Sequence, residues 1–101
     1  MNKLKQFTIM VGLNDKDTKK RLINKNKAKE ILMNICGDCT ISDAVGHYTH
    51  EDGQQVVEKS LRVEILFKEL EEVLDFCKQI KQELNQESVA LSYQEINSML
   101  V

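Results

Sequence analysis

The residues most suggestive of chemistry lie in "NICGDCTISDAVGHYTH", residues 34–50. Cys36 and Cys39 are separated by two residues, and His47 and His50 follow. A Cys-x2-Cys pair can cycle between dithiol and disulfide, and thiolates with imidazoles are the ligands zinc prefers. Each chemistry makes a demand on its surroundings. A redox pair works best at a helix N-terminus, where the dipole lowers a thiol pKa. Here Cys36 ends a predicted helix and Gly37 follows as its stop signal, so the dipole acts in the opposite sense. For zinc, the spacing C-x2-C-x7-H-x2-H matches none of the common modules. His47 and His50 on one strand would also point to opposite sheet faces. The stretch is read as the corner where a helix passes into a strand. No metal and no cofactor are expected.

Two other groups of residues could form a site. The first is basic: Lys16, Lys19, Lys20, Arg21, Lys25, Lys27 and Lys29 gather around the start of the first predicted helix. Cations there oppose the macrodipole, so the arrangement costs stability. Free backbone N–H groups beside Lys and Arg make an anion receptor, with Lys19, Lys20, Arg21, Lys25 and Lys27 as candidate ligand-binding residues. The competing reading is a solvated lysine-rich loop. The second group is a polar cluster of Glu58, Ser60, Arg62 and Glu87, placed around a ligand or a dimer seam. No Ser-His-Asp set, matched carboxylate pair or phosphate-cradling glycine loop is present, which weighs against an enzyme. A lone pocket carboxylate such as Glu58 would leave no signature.

These residues must be positioned by a small set of elements. "QFTIMVGL" (6–13) reads as a buried strand, residues 14–24 as a polar loop, and "KNKAKEILMNI" as a helix capped by Asn24 with Ala28, Ile31, Leu32 and Ile35 on one face. "CTISDAVGHYTH" and "QQVVEKSLRVEILF" are β-rich and flank Asp52-Gly53, a hairpin signal. In the second, Leu61, Val63, Ile65 and Phe67 alternate with Ser60, Arg62, Glu64 and Leu66. Leu70, Val73, Leu74, Cys77, Ile80 and Leu84 keep helical spacing over 69–85, and "SVALSYQEI" supplies a last strand. The order β-α-β-β-α-β predicts a ferredoxin-like α+β sandwich: a four-stranded antiparallel sheet with both helices on one face. The other face is left open. Thr8, Met10, Glu58, Ser60, Arg62, Glu64 and Leu66 are expected to project from it and to suit a homodimer contact. The apolar end, Ile96, Met99, Leu100 and Val101, is expected to dock on its own domain or on a partner.

Composition bounds the rest. The 101 residues make a single domain, and a hydrophobic share of 42% with a charged share of 30% is ordinary for a globular chain. A formal net charge of -2 argues against nucleic acid or an anionic membrane as partner. No apolar run nears the roughly 18 residues needed to span a bilayer. The start, "MNKLKQFTIMVGL", lacks a signal-peptide core, so a cytoplasmic location with reduced thiols is expected. The Lys, Asn and Ile bias is that of an AT-rich genome.

Short motifs spread along the chain resemble a family of small uncharacterised α/β proteins of bacteria and phages. A strand ends in Gly12-Leu13; Thr40, Asp43, Ala44 and Gly46 form a T-I-x-D-A-x-G stretch; Glu58 and Ser60 form E-x-S; Gln86, Glu87, Ser88 and Val89 form Q-E-S-V. The resemblance implies the fold and a phage or mobile-element setting, and it supplies no mechanism. Within it, Gly46 reads as a bulge or a close backbone approach, and 86–88 as polar side chains satisfying loose backbone groups. The functional expectation is a non-catalytic binding or regulatory module acting as a homodimer. The alternatives are a sensor or sequestering protein for a nucleotide-like anion, or a small dimeric α/β-barrel enzyme.

Overall fold

The computed structural model describes residues 2–49 and 51–101, with Asn2 given by its backbone alone. His50, the fourth member of the Cys/His set, lies outside the described residues. The elements are β1 (Asn2–Gly12), α1 (Lys25–Cys36), β2 (Thr40–Thr49), β3 (Gln55–Ile65), α2 (Leu70–Glu83) and β4 (Ala90–Ser98). The strands pair antiparallel in the order β2-β3-β1-β4. This is the ferredoxin-like two-layer sandwich.

Strict alternation builds the core. Phe7, Ile9 and Val11 of β1 and Leu61, Val63 and Ile65 of β3 have no exposed surface, and their pairing puts all six on one face. Ala28, Leu32 and Cys36 of α1 and Val73, Cys77 and Ile80 of α2 close over them. Asn24 caps α1 by accepting the Lys27 N–H at 2.8 Å, and Gly37, at φ 69°, ends it by donating to the Met33 carbonyl.

The apolar stripe of α2 is rotated from its sequence reading. Leu74 is 46% exposed, while Phe76 packs against the core. Both positions flank the line through Val73, Cys77 and Ile80, and the core reaches the Phe76 flank. Phe67 also departs from expectation. β3 ends at Ile65, and a positive φ of 63° turns Phe67 outward to 62% exposure. Leu66 lies beyond the strand end as well, so it does not extend the open-face row. Gly46 makes no bulge, because the β2–β3 register runs unbroken from Thr40↔Glu64 to Thr49↔Gln55. Ile96 lies within β4, half-buried and paired with Leu4, whereas Met99, Leu100 and Val101 are exposed and do not dock on the described residues.

The sheet overhangs its helices at both ends. The β2–β3 hairpin continues past the last β1–β3 partner, Gly12↔Ser60, out to Thr49↔Gln55. At the opposite end β1 and β4 run on as a two-stranded ribbon from Gln6↔Gln94 to Asn2↔Ser98. The molecule is accordingly 47 Å long and 23 Å across its short axis. On the helix side of the hairpin arm, Val45 and Val57 are left largely exposed.

Candidate functional site

The open face of the sheet mixes short side chains with the long polar ones of Gln6, Gln94, Glu58, Arg62 and Glu64. Thr40, Ser42, Ala44 and Gly46 of β2, Thr8 and Met10 of β1, Ser60 of β3, and Ala90 and Ser92 of β4 share it by register. Where β1 stops and the hairpin arm continues, this shallow surface deepens into a cleft of about 1080 Å³. Its floor is Met10, Gly12, Gly46, Val56 and Ser60, and its walls come from the 14–19 loop, the hairpin tip and residues 86–88. A nucleoside-sized molecule fits within such a volume.

Glu58 is the organised group in this cleft. Its carboxylate lies flat against Gly12, where a Cβ would stand 2.5–2.6 Å from the carboxyl atoms. One oxygen accepts the Asn14 backbone N–H at 2.8 Å, and the other accepts the Tyr48 hydroxyl at 3.4 Å. Gly46, opposite Glu58, keeps the neighbouring floor low, since a Cβ there would touch Ser60 Oγ at 3.4 Å. Burial, then the Glu58 charge and the hydrogen bond to it, push the Tyr48 phenol up, so it stays a proton donor across neutral pH. Each Glu58 oxygen still has acceptor capacity toward the cleft.

The polar cluster read from the sequence is thus only partly assembled. Met10, Glu58, Ser60 and Glu87 line the cleft. Arg62 and Glu64 sit farther along β3 and pair with each other at 3.8 Å. The basic residues separate. Lys25 and Lys29 both reach Asp43 of β2, at 3.2 and 3.1 Å, and Lys27 pairs with Glu30 at 3.6 Å. Lys25 and Lys29 hold the Asp43 carboxyl below its ordinary value. The α1 N-terminus is already occupied by Asn24. Lys20 and Arg21 are exposed on the loop, whereas Lys19, with Lys16, lines the cleft.

At the corner, Cys36 is buried and Cys39 half-buried. Burial, then the neighbouring Cys39 and Cys77, pushes the Cys36 thiol up to about 12, and burial also raises Cys39 and Cys77. Such thiols are poor nucleophiles at neutral pH. Among the described residues, no three His, Cys, Asp or Glu side chains converge as a metal-binding group.

Sequence reading missed Tyr48, Gly12 and Asn14 as parts of the site. The hairpin signal at Asp52-Gly53 could have found Tyr48: the register it sets puts Tyr48 opposite Val56 and diagonal to Glu58. The approach of β1 to Glu58 left no such signal.

No family model and no curated protein sequence matches the chain. Solved structures do. A phage SAM lyase in complex with S-methyl-5'-thioadenosine is 26% identical with a TM-score of 0.68, over 91% of this chain and 81% of that one. The B. subtilis GlnK–ATP complex is 17% identical with a TM-score of 0.60, over 93% and 82%. CutA from Synechococcus elongatus is 8% identical with a TM-score of 0.60, over 93% and 77%. The last two likenesses are of fold alone. The chain is a small ferredoxin-like α/β protein, and among the described residues no helix is long and apolar enough to cross a membrane.

Proposed function

We propose that the open-face cleft binds an adenosine thioether or sulfonium, the S-adenosylmethionine class, and that the chain acts on it as a lyase. One observation carries this reading. A nucleoside-sized cleft centred on an anchored carboxylate occurs in a chain 26% identical to a phage SAM lyase that holds S-methyl-5'-thioadenosine. Glu58 is suited to accept the ribose hydroxyls, a common use of a carboxylate at nucleoside sites. Lys16 and Lys19 at the mouth suit the carboxylate of an amino-acid substituent. In lyase cleavage the substrate's own amino-acid carboxylate oxygen bonds to the γ-carbon, closing a lactone, while the carbon–sulfur bond pair returns to sulfur, which leaves as a neutral thioether. An apolar floor of Met10 and Val56 favours that loss of charge, because a sulfonium gains more from water than a thioether does. The open face is also read as a self-association surface, where Met10 lies among the pairable charges of Glu58, Arg62 and Glu64.

Chromatography of the protein incubated with S-adenosylmethionine should show S-methyl-5'-thioadenosine released. Calorimetry should show binding of S-methyl-5'-thioadenosine, weakened about tenfold or more by Glu58→Gln. Failure of both compounds to bind at millimolar concentration would overturn the proposal. Binding of ATP through Lys16 and Lys19, without turnover of S-adenosylmethionine, would instead support a non-catalytic nucleotide sensor.

A further inference from the structure

The connection between α2 and β4 grips the wall of the cleft. Gln86 is buried to 9% exposure, and its amide nitrogen donates to the Asn14 carbonyl at 2.7 Å and to the Leu84 carbonyl at 3.2 Å. Asn14 is the residue whose N–H holds Glu58 at 2.8 Å. A chain of contacts therefore runs from Gln86 through Asn14 to Glu58 and Tyr48. Asn85 holds the same loop one step away: its amide donates to Asp15 at 2.7 Å and to Asp17 at 2.9 Å, and its carbonyl accepts the Lys16 N–H at 3.0 Å. Asn85 does not touch Asn14 through any of these bonds.

From this geometry we infer that Gln86 is a positioning residue for Glu58, acting through Asn14. β1 stops at Gly12, and the chain beyond it keeps single backbone ties: the Leu13 N–H on the Lys59 carbonyl at 3.1 Å, the Asn14–Arg21 bridge, and the Asp15 N–H on the Lys20 carbonyl at 2.8 Å. Gln86 adds a side-chain bond to the Asn14 carbonyl, which narrows the direction in which the Asn14 N–H meets the carboxylate. The side chain on the α2–β4 connection thereby sets the direction of the anchor on β3.

The test compares Gln86→Met, which keeps the length and removes the donor, with Asn85→Ala, which loosens the loop elsewhere. Proton–nitrogen spectra of the protein alone should show the Asn14 amide shifted and faster exchanging in Gln86→Met, and little changed in Asn85→Ala. An Asn14 amide unmoved in Gln86→Met would overturn the inference. The second arm rests on the nucleoside reading and uses S-methyl-5'-thioadenosine as probe. Gln86→Met should weaken binding about tenfold in the parent and hardly at all in a Glu58→Gln background. Equal losses in both backgrounds would overturn the inference by assigning Gln86 a general structural role. If Gln86→Met folds poorly, Gln86→Asn, which keeps the amide but shortens its reach, carries the same comparisons. A parent that binds no probe defeats the nucleoside reading and leaves the amide measurement to decide the role of Gln86.

Discussion

At the scale of single residues, the site depends as much on an absent side chain as on present ones. Glu58 rests in the space that a Cβ on Gly12 would fill. The obstruction would fall on the far end of a flexible side chain, so the carboxylate can give way without breaking the strand. It would, however, lose its alignment with the Asn14 N–H. Gly12→Ala is therefore expected to change stability by less than about 1 kcal/mol, the usual range away from packed cores. The same variant should lose S-methyl-5'-thioadenosine affinity about tenfold or more. Thermal melts and calorimetry on one preparation check both statements. A variant that binds like the parent would show that the observed Glu58 position is not required.

At the scale of elements, α2 gives a sharp internal comparison. Ile80 has no exposed surface and faces the sheet, whereas Leu74 is nearly half exposed on the flank of the same helix. Truncating a buried Ile removes transfer energy and leaves a cavity. Ile80→Ala should cost about 2–5 kcal/mol, and Leu74→Ala less than about 1 kcal/mol. Urea unfolding of the two variants measures the difference. Equal losses would mean that α2 packs with a different rotation. The hairpin arm behaves differently from the helices, because Val45 and Val57 are largely exposed among the described residues. Its order relies on the β2–β3 ladder and on whatever occupies the cleft below it.

For the whole molecule, the expectation concerns the uncovered sheet face. Its mixture of short polar side chains, the half-buried Met10 and the charges of Arg62 and Glu64 forms a surface that a second copy could approach as an isologous C2 contact. Light scattering of the parent should give a dimer. Arg62→Glu, which breaks the pair with Glu64 and sets like charges along β3, should give a monomer. A parent that stays monomeric at high micromolar concentration would leave the face to the ligand alone. The exposed Met99, Leu100 and Val101 add apolar surface at the chain end, and deleting these three residues should leave the monomer's melting temperature nearly unchanged.

Local patterns in the sequence were enough to determine the fold. Period-two alternation in "QFTIMVGL" and "SLRVEI", helical spacing through Val73, Cys77 and Ile80, the Asn24 cap and the Gly37 stop each act over a few residues, and together they imply β-α-β-β-α-β and an open face. The placement of Glu58 and Ser60 on the open face, with Glu87 in the connection beside the cleft, was also legible, because parity on a strand and position in a connection are local facts. The tertiary structure decided what depends on distant segments meeting. Phe76 rather than Leu74 is covered because of how α2 is rotated on the core, and the lysines around α1 are divided because Asp43 arrives from β2 to claim two of them. Glu58 is held by the Asn14 N–H from 44 residues away, and Asn14 in turn by Gln86 from 72 residues away. Backbone groups carry no identity in a sequence, so a site whose anchor is a peptide N–H appears only once the chain has brought that peptide into place.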